Sequence, residues 1–382
     1  MERRTFLRAA VIGAGTSVAL GFSITTQALG YPARAGDSPY GPLQPADANG
    51  IMLPSGFTSR VIARTGTKVP GTAYTWHGAP DGGACFADGS GWIYVSNSEI
   101  GFGGGGVGAV RFAADGQIIG AYSILSGTNR NCAGGATPWQ TWLSCEEVDR
   151  GYVYETYPAG GRQAVRRPAL GRFNHEAAAA DPDRRVVYLT EDESDGCFYR
   201  FIPTTWGDLS AGKLQVLIDA GQGAVGWADV PDPDGSPTRT RRQVAAARKF
   251  NGGEGCYYRA GTCFFTTKGD NRVWAYDAAA NTLAIAYDDD LTANAPLTGV
   301  DNITGSASGD LFVAEDGGNM EVCLITPDDI VAPFLRVNGQ SRSELCGVAL
   351  DPAGRRLYFS SQRGTTGSSS GGITYEVTGP FR

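Results

Sequence analysis

Acidic side chains recur at the ends of short β-like runs of this chain, and one of these runs also carries a thiol. In TWLSCEEVDRGYVYE, residues 141–155, Cys145 stands directly before Glu146 and Glu147. Three potential anions so close together would repel one another unless a cation binds among them. A thiolate beside carboxylates favours a transition metal such as iron. A buried apolar role for Cys145 and turn capping by the acids are the alternatives.

The same kind of run occurs six times. The six runs are WIYVSNSE to Glu99, QTWLSCEE to Glu147, RVVYLTED to Asp192, CFFTTKGD to Asp270, DLFVAEDG at Asp316 and RLYFSSQ to Gln362. They recur at roughly 45-residue spacing, the size of one propeller blade. One gap is longer and contains the polar stretch DVPDPDGSPTRTRRQ. We expect an inserted loop there, at about 221–248.

Composition and turn residues indicate an all-β fold. Glycine supplies 55 of the 382 residues, without a period of three, and Asp-Gly, Asn and Gly pairs separate the β-like runs. Such pairs suit tight β connections, which need positive φ. The sequence therefore predicts a six-bladed β-propeller over residues 56–382, behind an extension at 36–55. Residues 56–65 would complete the last blade with the C-terminal strands. Two β-sandwiches are the alternative.

A propeller would bring these polar residues to one channel. A first group belongs to the innermost strands: Asp81, Asn131, Glu176, Glu254, Asp301, Asn302 and Glu344. A second group ends the next strands: Glu99, Cys145, Glu146, Glu147, Glu191, Asp192, Asp270, Glu315 and Asp316. Bare carboxylates at that density need raised pKa values or bound cations. Taken singly, Asp81, Asp270 and Glu344 also suit turn capping.

The donor types restrict the possible chemistry. Oxygen-rich carboxylate sites favour calcium, with Asn302 as a neutral ligand, whereas Cys145 would select iron. The chain has only two histidines, His77 and His175, which excludes a histidine-built zinc or di-iron site. It has no GxSxG motif, so a Ser-His-Asp arrangement is not expected.

The N-terminus has the pattern of a twin-arginine export signal. Arg3 and Arg4 precede Phe6 and Leu7, a Gly/Ala-rich apolar stretch follows, and small residues at 33–35 end it. We expect residues 1–35 to be removed after passage through the twin-arginine translocase, with an uncleaved anchor as the alternative. The expected product is periplasmic or extracellular and monomeric, without a stable membrane span.

Charge and cysteine content narrow the possible partners. The formal net charge is −7 and basic residues do not cluster with aromatic ones, so nucleic acid is not an expected partner. Eight cysteines would permit disulfides outside the cytoplasm. Cys256 and Cys263 flank a predicted hairpin turn and are the pair that local geometry favours.

Several of these motifs resemble one known family. The segments TWLSCEE, GYVYE, ALGRFNHEAAAAD, VYLTED, FNGGEG, VDNITGSASGDLFVAEDGG and LCGVALDPAGRRLYFSSQ are similar to the PhoX-type alkaline phosphatases. The resemblance spreads over nearly the whole chain after the signal. It implies a six-bladed propeller that hydrolyses phosphate esters at a cluster of Fe3+ and Ca2+ ions.

The resemblance also implies residue roles. Cys145 would ligate iron, with Glu176 and Glu254 as bridging or iron carboxylates. The calcium ligands would be Glu146, Glu147, Glu191, Asp192, Asp301 and Glu315. An arginine typical of the family is replaced here by Gly252, so Arg248 and Lys249 are the weak candidates for substrate binding. Replacing Gly252 with arginine is predicted to raise activity.

The sequence is compatible with three functions. The first is a metal-dependent phosphatase in which a metal-bound oxide, hydroxide or water attacks the phosphate ester, the expected small-molecule partner. The second is a calcium-dependent propeller hydrolase acting on lactones or phosphotriesters. The third is a non-catalytic propeller stabilised by calcium. Metal content separates the first from the other two.

Overall fold

Short strands joined by tight turns make up nearly all of the regular structure. The computed structural model describes residues 32–221 and 224–382. The strands up to residue 146 are β1 (Arg34–Ala35), β2 (Ile51–Met52), β3 (Thr58–Arg64), β4 (Pro80–Asp88), β5 (Gly91–Ser98), β6 (Gly105–Phe112), β7 (Ile118–Thr128), β8 (Asn131–Ala136) and β9 (Trp142–Glu146). The next are β10 (Val153–Thr156), β11 (Val165–Arg166), β12 (His175–Asp181), β13 (Val186–Glu191), β14 (Phe198–Thr205), β15 (Asp208–Gly221) and β16 (Ala224–Asp229).

The remaining strands complete the C-terminal half. They are β17 (Gly253–Arg259), β18 (Thr262–Thr267), β19 (Arg272–Asp277), β20 (Thr282–Asp288), β21 (Val300–Gly305), β22 (Leu311–Glu315), β23 (Glu321–Ile325), β24 (Ile330–Val337), β25 (Leu345–Leu350), β26 (Arg356–Ser361) and β27 (Ile373–Thr378). Four single-turn 3₁₀ helices lie at Pro168–Leu170, Thr240–Arg242, Lys268–Asp270 and Asp289–Leu291. The part of the chain described contains no helix long and apolar enough to cross a membrane.

The strands form five sheets. Two have four strands each, β4–β7 and β8–β11, and a third joins β25–β27 to β3. β3 pairs with β27 from Thr58 opposite Thr378 to Arg64 opposite Ile373, which is the closure expected for residues 56–65. A fourth sheet adds β1 and β2 to β21–β24. The fifth has nine strands, β12–β20.

Six strands surround the centre of the molecule. β4, β8, β12, β17, β21 and β25 pack side by side in this order, and β25 packs beside β4. Each is the first strand of an antiparallel series that runs outward. The protein is therefore all-β with a propeller-like arrangement.

Small residues allow the six central strands to approach closely. A Cβ on Gly82 would lie 2.5 Å from the Cα of Ala133, and one on Gly255 would lie 2.6 Å from the amide nitrogen of Ile303. One on Gly347 would lie 2.6 Å from the carbonyl oxygen of Asp81. Larger side chains at these positions would force neighbouring strands apart.

Aromatic and aliphatic side chains fill the space between adjacent sheets. Phe312, Phe334 and Phe359 belong to one buried cluster, and Tyr188 and Phe198 belong to another. This burial supplies the main driving force for folding. The sheets hold the six central strands in place through these contacts.

The first described residues connect the fourth and fifth sheets. The amide of Ala33 donates to the carbonyl of Ala286 at 2.9 Å, and Arg34 and Ala35 pair in parallel with Ile330 and Val331. Most of the predicted export signal, residues 1–31, lies outside the described residues.

Two other expectations concern the segment at about 221–248 and the pair Cys256 and Cys263. The segment expected as an inserted loop includes β16, which pairs with β15. Cys256 and Cys263 are free thiols with their sulfur atoms 3.4 Å apart, beyond the bond length of about 2.05 Å.

Candidate metal centre

The register of the six central strands repeats one feature. In each, the first residue pairs with the end of the following strand, and the pairing then shifts. The residue after this first pair is at an equivalent position in all six strands. These residues, called the first-strand set here, are Asp81, Cys132, Glu176, Glu254, Asp301 and Cys346.

A second set follows from the same register. The partner residues in the following strands are Ser98, Glu146, Glu191, Thr267, Glu315 and Ser361. The residues directly after these partners, the second-strand set, are Glu99, Glu147, Asp192, Lys268, Asp316 and Gln362. The repeat thus brings one residue of each set to the same end of every central strand.

The side chains of the two sets meet. Ligand atoms of Asp81, Glu99 and Cys132 lie within 4.8 Å of one another. The same holds for Cys132, Glu147 and Glu176, and for Glu176, Glu254 and Asp301. Because Cys132 and Glu176 are each shared between two groups, the three groups form one continuous cluster.

Hydrogen bonds join the last unit to the first. Gln362 donates through Nε2 to Asp81 Oδ2 at 2.6 Å and to Glu99 Oε2 at 2.8 Å. The amide of Gly82 donates to the other oxygen of Asp81 at 2.6 Å. Asp81 is therefore oriented by donors on both of its carboxylate oxygens.

Burial and mutual repulsion raise the pKa values of the clustered acids. Burial, and next the charge of Glu99, raises the pKa of Asp81 to about 7. Burial followed by Glu99 raises the pKa of Glu147 to about 8. Burial also raises the pKa values of Glu176 and Asp301 well above their ordinary range, with Glu254 as the next cause for both.

Glu176 has the least satisfied side chain of the cluster. It is fully buried, and neither carboxylate oxygen accepts a hydrogen bond from any residue in the described ranges. An unpaired buried carboxylate is costly, and a ligand oxygen of Glu176 lies within 4.8 Å of those of Glu254 and Asp301. This arrangement fits a cation, since buried carboxylates normally pair or coordinate metals.

Three cationic side chains border the cluster. Lys268 Nζ lies 2.6 Å from Glu254 Oε1 and 3.0 Å from Asp192 Oδ2. Arg363 pairs with Glu344 at 2.7 Å, and the more exposed Arg130 lies 3.6 Å from Glu99. They offset part of the negative charge.

The structure brings most of the predicted ligands together. Those that belong to the two sets are Glu99, Glu147, Glu176, Asp192, Glu254, Asp301 and Asp316. Asn302 lies beside them, but its amide donates to Asp301 Oδ1 at 2.8 Å and its oxygen accepts from the amide of Gly347 at 2.5 Å. Asn302 therefore orients Asp301 and the neighbouring strand.

Cys145 is not brought into the cluster. It is fully buried in an apolar cluster with Leu143, Val153 and Phe173. It belongs to none of the acid and thiol groups found within the described ranges. The thiol that reaches the acids is Cys132, which the sequence reasoning missed because it placed its neighbour Asn131 in the inner group.

Three predicted ligands lie at the ends of their strands and accept hydrogen bonds from loop amides. They are Glu146, Glu191 and Glu315. Glu146 accepts from the amides of Asn129 and Tyr152 at 2.9 and 3.1 Å. The other two make the same kind of contact: Glu191 accepts from the Cys197 amide at 3.1 Å, and Glu315 accepts from the Thr298 and Glu321 amides at 2.8 and 2.9 Å. These amide donors tie the three carboxylates to the neighbouring loops, and Glu315 also lies within 4.8 Å of Glu321 and Cys323, in a group that contains no member of the two sets.

The predicted substrate-binding residues do not face the acids either. Arg248 pairs with Asp219 at 2.8 Å in a part-exposed contact. Lys249 donates to the carbonyl of Arg241 at 2.5 Å and lies 3.4 Å from Cys197 Sγ. The side chain that does reach the acids is Lys268, which the run CFFTTKGD places two residues before the Asp270 chosen from sequence.

The two histidines are packing residues. Burial lowers the pKa of each to about 4, so both are neutral near pH 7. His175 makes a 3.0 Å hydrogen bond with the Gly171 carbonyl and packs on Phe173.

The sequence profile of the family described as "Alkaline phosphatase PhoX" matches residues 96–286, which is half of the chain. The chain belongs to the PhoX family of alkaline phosphatases. The matched region contains Cys132, Glu147, Glu176, Glu254 and Lys268. No curated protein matches the sequence.

Two solved structures are similar to this chain in fold. Pseudomonas fluorescens PhoX, in complex with the transition state analogue vanadate, is 17% identical with a TM-score of 0.72, over 88% of this chain and 97% of that one. A Bacteroides thetaiotaomicron protein of unknown function is 10% identical with a TM-score of 0.53, over 84% and 76%. A Xanthomonas campestris gluconolactonase is 15% identical over 90% and 99%, and its TM-score of 0.48 is too low to bear on activity.

Proposed function

We propose that this PhoX-family protein is an exported phosphatase that hydrolyses phosphate esters with iron and calcium ions held by the two sets. The observation that carries the proposal is Glu176, a fully buried carboxylate with both oxygens unpaired beside Glu254 and Asp301. Family membership supplies the reaction class. The Pseudomonas fluorescens enzyme, which binds vanadate as a transition state analogue, supports the same reaction in this fold.

The donor atoms fit the proposed metals. Cys132 with Glu147 and Glu176 offers a thiolate beside carboxylates, a mixed set that suits iron. Glu176, Glu254 and Asp301 offer only oxygen, which suits calcium. Cys132 replaces Cys145 as the proposed thiolate ligand. The raised pKa of the Cys132 thiol, caused by burial and then by Asp81, means that a cation is needed for its deprotonation.

Charge requirements explain why metals are needed. A phosphate monoester is an anion, and transfer of its phosphoryl group requires positive charge on the non-bridging oxygens. The two sets contain more acids than cations, so the protein alone would repel it. Bound ions, held by the carboxylates of the two sets, would supply the positive charge. Arg363 and Arg130 reduce the remaining negative charge at the border of the cluster.

The finer architecture fits this site. We propose that the nine-stranded sheet is two blades, because within the described residues β16 and β20 share the single residue pair Ala224 and Thr282. With the other four sheets this gives six blades, one for each central strand, over residues 56–382. We also propose a monomer, exported by the twin-arginine translocase to the periplasm or outside the cell. Because Ala33–Ala35 make backbone contacts within the fold, we propose signal cleavage before Ala33 in place of the expected removal of residues 1–35.

Elemental analysis together with turnover tests the function. Protein purified after native export should contain iron and calcium and hydrolyse p-nitrophenyl phosphate. Glu176→Gln should lower both metal content and turnover, because an amide cannot replace an anionic ligand. Glu376→Gln, which removes a buried carboxylate paired with Arg60 and Arg356, is the control and should retain both. Metal-free wild-type protein with full activity would refute the proposal.

A further inference from the structure

Lys268 is the one cation in the two sets. The other five members of the second-strand set are four acids and the amide of Gln362. Lys268 occupies the equivalent position in the unit that begins with β17, because Gly253 pairs with Thr267. The repeat therefore places an ammonium group where most units place a carboxylate.

The ammonium nitrogen lies between two carboxylates from neighbouring units. It is 2.6 Å from Glu254 Oε1 and 3.0 Å from Asp192 Oδ2. Calcium binds carboxylate oxygens at about 2.3–2.6 Å. A cation shared by Glu254 and Asp192 would therefore lie close to the place that Nζ occupies.

The ammonium group makes charge-assisted contacts with both carboxylates. The side chain is 38% exposed, so its position borders the cluster rather than its fully buried centre.

Gly252 makes room for the lysine side chain. A Cβ at position 252 would lie 3.2 Å from Cγ of Lys268 and 3.2 Å from Asp192 Oδ1. The amide of Lys268 also donates to the carbonyl of Gly252 at 2.9 Å, which fixes the base of the side chain. Glycine at 252 and lysine at 268 therefore act as a matched pair.

We propose that Lys268 is a tethered cation that takes the place of one metal ion between Asp192 and Glu254. The inference rests on the proposed metal cluster and adds that this chain binds one ion fewer than its acids would otherwise hold. The remaining ions are held by the groups that contain Cys132 and Glu176. The charge supplied by Lys268 stays in place when chelators remove the metals.

Metal stoichiometry tests the inference. Lys268→Met keeps the approximate length of the side chain and removes its charge, so this variant should bind one additional calcium ion per protein chain. Elemental analysis and calcium titration of the chelated protein measure this number. Lys268→Arg keeps the charge and should match the wild type. Arg272→Met is the matched control, because Arg272 also bridges two carboxylates, Asp270 at 2.8 Å and Asp288 at 2.7 Å, outside the cluster.

The outcomes separate this inference from the proposed function. Wild-type protein that holds metals, with Lys268→Met holding the same number, would overturn the inference alone. An extra bound ion in both Lys268→Met and Arg272→Met would also overturn the inference, because the extra ion would then result from the loss of any cationic side chain that pairs with carboxylates. Wild-type protein without metals would refute the proposed function. If Lys268→Met fails to fold, the double variant Asp192→Asn with Lys268→Met replaces it, because this variant removes both charges of the pair. The double variant should fold and bind as many metal ions as the wild type. A larger number of bound ions would contradict the inference.

Discussion

Cys132 Sγ lies within 4.8 Å of ligand oxygens of both Glu147 and Glu176, two carboxylates from adjacent units of the fold. The partly buried Cys132 lies between the two pairs of acids that share it, so loss of its thiol should affect the metal cluster directly. Cys132→Ser should reduce bound iron at least tenfold and abolish turnover, because a neutral hydroxyl is a poor ligand for iron. Elemental analysis of purified protein measures the change.

Cys145→Ala is the matched control for that prediction. Cys145 packs against Leu143 and Val153 in the core, so its truncation should cost about 1–2 kcal/mol of unfolding free energy and leave the iron content unchanged. Loss of iron from the Cys145 variant with retention in the Cys132 variant would reverse our assignment of the two thiols.

The consecutive residues Glu146 and Glu147 provide a second matched pair. Glu147→Gln should weaken metal binding, since its carboxylate lies with Cys132 and Glu176. Glu146→Gln should keep the metals and lower the unfolding free energy by about 1–2 kcal/mol, because it weakens the acceptors for the Asn129 and Tyr152 amides. Calcium titration and thermal unfolding of both variants distinguish the roles. Equal metal loss in the two would contradict the separation of ligand from loop support.

The sequence allowed the class of fold and most of the acidic cluster to be predicted, because both depend on a repeat that is visible in the chain. The all-β class follows from the runs and their turns, and residues such as Glu176, Glu254 and Asp301 follow from their equivalent places in the runs. These features are encoded locally, so they do not require knowledge of the three-dimensional register.

The errors arose where one residue of register decides which way a side chain points. In five of the central strands the pairing shifts directly after the first pair, and in β25 it shifts after the second, so simple alternation cannot distinguish Asn131 from Cys132. The same ambiguity of register led to the prediction that Cys145 is a ligand. It also led to the prediction that Asp270 occupies the position equivalent to Asp192. Lys268 could have been found by aligning the ends of β13 and β18, since each set residue directly follows its strand.

Gly252 is a place where the structure reverses a prediction made from sequence. Its φ of +71° is strained for any L side chain, and a Cβ there would press on Lys268 and Asp192. Gly252→Arg should therefore lower the unfolding free energy by at least about 1–2 kcal/mol and leave phosphatase activity unchanged or reduced. Gly252→Ala separates the backbone strain from the bulk of arginine. A rise in p-nitrophenyl phosphate turnover in the arginine variant would restore the earlier prediction.

The clustered acids predict how the chelated protein responds to pH. The pKa values of Asp81 and Glu147 are raised to about 7 and about 8 in the folded, metal-free protein, first by burial. Between the ordinary pKa of an unfolded carboxyl and these values, the folded state binds more protons than the unfolded state. Its stability is therefore greatest at low pH within this range and falls as pH rises, by about 1.4 kcal/mol per pH unit for each such carboxyl.

Thermal unfolding of the chelated protein from pH 5 to pH 9 measures this effect. The midpoint temperature should fall from pH 5 to about pH 8 and then level off, and added calcium should remove most of the fall because bound cations favour the ionised acids. Asp81→Asn together with Glu147→Gln should flatten the pH dependence of the chelated protein, since neither side chain can then titrate. A chelated wild-type protein whose stability rises between pH 6 and pH 8 would contradict the raised pKa values and, with them, the repulsion that the metals are proposed to relieve.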